Sequence, residues 1–245
     1  MEYLLPILFV FVAFIYSSVG LGGGSSYTAL MAILGISYTV IPTTSLTLNL
    51  VVTFIGMINF WRGGHGRFNL VGPFLFTSIP MAYLAGSLYI PENIFKIILI
   101  STLFLVVVRI YIINELSLSF QLSKGKKWVL IIGLGAVLGF IAGAVGIGGG
   151  IYLVPLIMIF GLGSAKEAAA AGAMFIWVNS LVGFIARFQA RTFDPDFVIP
   201  LIGAVILGGG AGSYFGSVSY NAKTIQKIMG AIIIVAIIFL IWGVI

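Results

Sequence analysis

Residues 20–30 read GLGGGSSYTAL, and residues 146–156 read GIGGGIYLVPL. The same G-x-G-G-G signature is thus written twice, each time after an apolar run that could cross a bilayer and before a shorter one. Four glycines in five residues hold a helix poorly, because each costs about 0.8–1.0 kcal/mol against alanine in a helix interior. Inside a membrane, irregular backbone survives only where protein surrounds it or it lines a cavity. Helix interruptions at matching places in two halves are the best sequence pointer to a transporter's substrate site.

The rest of the chain agrees with a membrane setting. Its 245 residues are 61% hydrophobic and only 7% charged, whereas a soluble domain carries about 25% charged residues. This is the composition of an all-α polytopic membrane protein, with no room for a large soluble domain. Cysteine is absent, which excludes disulfides, thiolate nucleophiles and cysteine metal sites. The first residues, MEYLLPILFVFVAF, carry an acid where a signal peptide needs positive charge, so they read as the start of the first spanning helix. A sequence pI near 9.6 does not signal nucleic acid. The cations sit in loops and at helix ends, as topology-setting charges do.

Apolar segments run over 3–19, 25–35, 39–61, 68–89 and 93–114, then over 127–145, 151–162, 165–188, 196–219 and 223–244. Crossing the hydrocarbon core takes about 20 residues, so 25–35 and 151–162 are too short to do so comfortably alone. Matching landmarks in the same order point to a duplication: Pro73 with Pro200, Ala85-Gly86-Ser87 with Ala211-Gly212-Ser213, Gly56 with Gly183, and Lys96 with Lys227. The expected organisation is a first membrane repeat over 1–114, a cytoplasmic connector over 115–126 and a second repeat over 127–245. Placing the basic loops 62–67, 109–127 and 187–191 together in the cytoplasm requires an even number of crossings between them. Counting each broken helix as one crossing gives about eight transmembrane helices, parallel halves and both termini inside. Re-entrant short segments would instead make the halves inverted.

At the doubled signature, its second copy followed by Val154-Pro155-Leu156, the chain resembles the TauE/SafE (TSUP) family over essentially its whole length. The resemblance implies a multi-pass protein of the cytoplasmic membrane that carries small sulfur-containing anions such as sulfite, sulfoacetate or sulfonates. The first copy departs from the family pattern, with Ala29 where the second has Pro155.

The candidate substrate residues begin with the glycines themselves: Gly20, Gly22, Gly23 and Gly24, with Gly146, Gly148, Gly149 and Gly150. Their exposed backbone N–H groups, together with the helix start that follows, suit an oxyanion. A phosphate-loop reading fails, because no strand precedes and no Lys-Ser/Thr follows. Gly135, Gly139 and Gly143, and Gly208, Gly212 and Gly216, recur every four residues and read as helix-packing stripes. Ser25 and Ser26 follow the first cluster where a cap or anion contact would fall. Thr44, Ser45 and Asn49 belong to a polar strip in an otherwise apolar helix, with Asn179 and Ser180 in the second half. Back-bonding to the helix's own carbonyls is the competing account of that strip.

The six acids (Glu2, Glu92, Glu115, Glu167, Asp194 and Asp196) stand at a terminus, in loops or near helix ends. None is mid-helix, where proton relays sit. With no cysteine, one histidine (His65) in a loop and no buried carboxylate, the sequence provides no catalytic residues, metal ligands or cofactor site. The expected partners are a small anion and membrane lipid, with no nucleic acid; a homodimer is compatible with the sequence. A secondary carrier, tending to export, is the leading expectation, against a channel-like anion pore or a non-transporting assembly factor.

Overall fold

The computed structural model describes residues 4–112, 124–188 and 193–218, with the single positions 231, 233, 234, 237, 238 and 241. Most of the connector 115–126 and of the last apolar segment, together with Glu2, Glu115, Arg191, Lys223 and Lys227, lies outside the described residues. The described regular structure is helical: α1 (Leu4–Ser17), α2 (Gly24–Ile33), α3 (Val40–Arg62), α4 (Phe68–Ser87), α5 (Glu92–Tyr111), α6 (Lys124–Val145), α7 (Gly150–Ile159), α8 (Ala165–Phe188) and α9 (Pro195–Val218). Among the described residues, α3, α4, α8, α9 and the Trp128–Val145 stretch of α6 are long and apolar enough to cross a membrane.

Contacts between helices fix their directions. Gly183 lies against Leu46, near the start of α3, while Gly56 lies against Ala173, in the first half of α8; these two central helices are therefore antiparallel. Gly135, Gly139 and Gly143 of α6 press on the backbone of Phe74, Ser78 and Ala82 in ascending order, so α6 runs parallel to α4. Gly208, Gly212 and Gly216 of α9 meet Val10, Phe14 and Ser18 in the same way, so α9 runs parallel to α1. Any side chain at these six positions would overlap a neighbouring backbone. Without a hydrophobic drive between helices in lipid, such close van der Waals approach is what holds them.

Two faces follow. On one, Arg67 just before α4 pairs with Glu167 of α8 at 3.0 Å, and Lys166 donates to Ser217 O at the end of α9, 2.8 Å. Arg62 ends α3 and Lys124 opens α6 on this same side, which we call the basic face. On the far face, Tyr38 and Tyr89 hydroxyls meet at 3.1 Å, and Gly86 packs on Ala186 and Gly183. The described acids stay at these ends. Glu92, Glu167 and Asp196 occupy first turns, where the helix dipole favours them. Asp194 accepts from Phe197 N at the start of α9. Around the outside, Phe76, Ile97, Val129 and Leu207 are exposed by 64–80%, the apolar belt expected against lipid.

The expected topology needs correction here. α1 parallels α9 and so runs from the far face toward the basic face, reaching Ser18 at the level of Gly216. α2 then returns to the far face, where Tyr38 sits. Its two arms therefore run in opposite senses as a re-entrant hairpin, not as one interrupted crossing. In the same way α6 and α7 form a hairpin entered from the basic face, with Gly163 returning to Leu70 at the start of α4. Positive-φ glycines turn the chain at both tips: Gly20 (φ 76) and Gly23 (φ 90), and Gly146 (φ 80), Gly148 (φ 81) and Gly149 (φ 73). The loop 62–67 and the end of α8 at Arg187 consequently lie on opposite faces, although equal charge had placed the basic stretches 62–67 and 187–191 together; residues 189–191 of the second stretch lie outside the described residues. The reason is Arg187. It is not a solvated loop cation but a partly buried residue of α8, donating to Gly143 O (3.0 Å) and Ala144 O (2.8 Å).

Candidate functional site

The two hairpin tips pass each other beside α3 and α8, with Gly22, Gly24 and Gly148 meeting at the level of Asn49. Each tip is held by the opposite half. Gly20 rests on the backbone of Ala169 in α8, and Gly146 approaches the Pro42 carbonyl of α3 so closely that a Cβ would lie 2.8 Å from it. Between the tips stands Asn49, fully buried at the middle of α3. Its amide fills the space a side chain on Gly22 would need, lies against Gly24, and would be 3.2 Å from a Cβ on Gly148. Asn49 Nδ2 donates to Gly146 O at 3.2 Å, and Ser45 Oγ donates to the same carbonyl at 2.8 Å. Ser45 Oγ also reaches Gly24 O at 3.4 Å. One polar pair on α3 therefore ties both glycine turns together.

Gly22, Gly24, Ser45, Asn49, Gly146, Gly148 and Ser180 come together; a Cβ on Gly148 would lie 3.3 Å from Ser180 Oγ. Gly20 is set apart, against Ala169. Gly149 and Gly150 pack on Leu138 O with the Phe175 ring, and on Ile176. Ser25 Oγ donates to Tyr16 Oη at 3.0 Å, inside its own hairpin. Ser26 meets the same hydroxyl at 2.7 Å, so Tyr16, which sequence reading did not single out, joins the two serines in one polar cluster. Asn179 Nδ2 bonds back to Phe175 O at 2.8 Å, as the back-bonding account has it. Thr44 is buried.

Several polar atoms here have no hydrogen-bond partner: Thr44 Oγ1, Asn49 Oδ1, Asn179 Oδ1 and Ser180 Oγ. A buried polar group left alone costs about 1–3 kcal/mol, so these atoms are the candidates here for a further polar contact. α2 and α7 begin here on Gly23 and Gly149, both left-handed and without a side-chain cap. The first N–H groups of a helix have no acceptor within it, and the positive end of the dipole lies there too. Two such helix starts, one from each hairpin, flank Asn49. The Thr44 and Ser180 hydroxyls and the first N–H groups of α2 and α7 can donate, the two asparagine oxygens only accept, and the described acids are all at the bundle ends. Among the described residues no cluster of three or more metal-ligating side chains occurs.

Residues 5–240 match the family described as Sulfite exporter TauE/SafE. The chain belongs to the TauE/SafE family. It is 32% identical to probable membrane transporter protein y4hK of Sinorhizobium fredii, over 97% of both chains. It is 29% identical to probable membrane transporter protein YjnA of Bacillus subtilis, over 93% of this chain and 94% of that one. Probable membrane transporter protein YunE of Bacillus subtilis matches at 29% over 47% of this chain and 40% of its own. No solved structure matches the chain. As a TauE/SafE member the protein is a membrane transporter, which agrees with the apolar spanning helices and the exposed apolar belt.

Proposed function

We propose that this transporter is a secondary carrier that exports small sulfur-containing oxyanions, of the class of sulfite, sulfoacetate and other sulfonates, across the cytoplasmic membrane. The observation that carries the reading is the crossing of two uncapped helix starts, those of α2 and α7, at the buried Asn49. Backbone N–H groups and the Ser180 hydroxyl offer donors there, while the described carboxylates stay at the helix ends. An oxyanion gains charge-assisted hydrogen bonds from such donors and meets no buried negative charge.

Close packing favours a carrier over an open pore. Each glycine of the two crossing turns has protein atoms where its Cβ would be, so an anion passes only when the tips part. The two hairpins enter from opposite faces, and the central helices α3 and α8 are antiparallel. This arrangement supports inverted repeats, which alternate access by rocking one half against the other. The positive-inside rule makes the basic face cytoplasmic, with the start of α6 at Lys124 on that side.

The transmembrane potential, negative inside, favours outward movement of an anion by about 2.3 kcal/mol per charge per 100 mV, so export needs no coupling ion. The test is a sealed proteoliposome with an imposed potassium-diffusion potential, no pH or sodium gradient, and a panel of labelled sulfite, sulfate, thiosulfate, sulfoacetate and taurine. Flux of the sulfur oxyanions that reverses with the sign of the potential is expected. Flux that ignores the potential but appears on adding a proton or sodium gradient would overturn the uncoupled mechanism. No flux of any member of the panel would overturn the substrate class.

A further inference from the structure

A cavity of about 330 Å³ opens at the far face, between the start of α3, the loop after α4 and the ends of α6 and α8. That volume is at the lower end of small-ligand sites, roughly 300–1,000 Å³. Its wall includes Pro42, the residue whose backbone supports Gly146, and Ala144, two residues before that glycine. The cavity therefore leads from the far face toward the tip of the α6–α7 hairpin. Ser87 and Tyr89 lie at its rim, with Tyr89 bonded to Tyr38 across it.

Arg187 stands in this wall. Its Nη2 donates to Gly143 O and Ala144 O, while its buried Nε has no partner. Neither ion pair among the described residues involves it: those join Arg67 to Glu167 and Lys96 to Glu92. A cation held in a spanning helix without a counter-charge is costly and marks a functional site by default. These last-turn carbonyls of α6 satisfy part of its donor set and offset part of its charge, but they leave the buried Nε without an acceptor and supply no formal negative charge. A guanidinium is moreover the side chain best shaped for oxyanions.

We propose that this cavity is a far-face anion vestibule in which Arg187 is the counter-charge for a sulfonate or similar oxyanion, one step removed from the central site at Asn49. The sulfonate class rests on the carrier reading above; the vestibule rests on the cavity and on the unpaired cation within it. An anion leaving the centre meets Arg187 beside the α6–α7 tip before reaching solvent.

The absence of cysteine makes a direct test available. Ser87→Cys places a thiol in the cavity wall, and Ser37→Cys places one on the exposed far-face loop as a control. Each is treated, in purified reconstituted protein, with a sulfonate-bearing and with a trimethylammonium-bearing methanethiosulfonate reagent, and the ratio of the two rates is measured. The ratio at Ser87→Cys should exceed that at Ser37→Cys by about tenfold, the equivalent of roughly 1.4 kcal/mol, and sodium methanesulfonate should slow the anionic reagent. Adding Arg187→Gln should bring the ratio down to the control value, while Arg187→Lys should keep most of it. Unchanged rates at Ser37→Cys show that the far face is intact in each variant.

Equal ratios at the two thiols, or a ratio indifferent to Arg187→Gln, would overturn the vestibule. The panel flux separates the two ideas. Charge preference at Ser87→Cys without flux of any anion defeats the carrier reading alone, and flux without charge preference defeats the vestibule alone.

Discussion

The two hairpins have the same plan and different chemistry. α1–α2 turns on Gly20 and Gly23, and α6–α7 turns on Gly146, Gly148 and Gly149, all with positive φ. Each short arm starts on an uncapped left-handed glycine and has ten residues. The first short arm begins with Ser25 and Ser26, bonded to Tyr16; the second begins with Ile151 and Tyr152. With Gly56 aligned on Gly183, Asn49 falls opposite Ile176, and Gly22 meets Asn49 where Gly148 meets Ile176. Backbone geometry is shared, then, while side-chain polarity is concentrated on the first half. Glycine sets how closely the tips approach, and α3 decides what they recognise.

The largest effects should come from breaking the shared geometry. Gly146→Val and Gly20→Val each force a branched side chain into another helix's backbone from a left-handed conformation. Overpacking costs about 1–3 kcal/mol and the left-handed backbone about 1–2 kcal/mol more. Both variants should lose most of their monodisperse yield in detergent, and to a similar degree. Loss confined to one of them would mean that the tips are not equivalent. Gly35→Ala and Gly161→Ala have positive φ as well, but open space around them, so each should cost only about 1 kcal/mol.

The opposed entry of the hairpins can be broken outright by labelling. His65→Cys lies in the basic-face loop, and Asp194→Cys in the loop before α9. In intact cells an impermeant thiol reagent should label Asp194→Cys and spare His65→Cys. Labelling of both or of neither from outside would place the loops on one side and restore parallel halves.

Smaller effects should sharpen the polar difference. Tyr16→Phe leaves Ser25 and Ser26 without their shared partner in a buried cluster and should cost about 1–2 kcal/mol of thermal stability. Tyr152→Phe removes one bond, to Thr102 O at 2.7 Å, and should cost less. The reverse order, measured by thermal unfolding in the same detergent, would show that the polar weight lies in the second half.

Helix positions were readable because apolar runs bounded by glycine, proline and charge leave few alternatives; 165–188 and 39–61 fall within a residue of α8 and α3. Direction was not. Hydropathy is the same for a segment that crosses and for one that folds back, so the length of 25–35 alone signalled the hairpin. Arg187 then weighted the charge count toward the wrong topology, because a cation that bonds carbonyls inside a helix bundle reads in sequence like one facing water. Its place within the apolar run 165–188 was the available signal. At the site, Asn49 and Ser45 stood out as polar residues in an apolar helix. Tyr16 did not, since a tyrosine in a membrane segment is unremarkable until the fold brings it within 2.7 Å of Ser26.

The claim that both hairpins present an anion to Asn49 is tested most directly by Asn49→Asp, which keeps the shape and adds a buried negative charge. Sulfite or sulfoacetate flux in proteoliposomes under an imposed potential, inside negative, should fall about 30-fold, the equivalent of roughly 2 kcal/mol. Ser213→Ala, on α9 and paired with Asn59, should carry anion at near wild-type rate. Wild-type flux through well-folded Asn49→Asp would contradict the account, because no anion passing between the two glycine turns could ignore a carboxylate at their crossing.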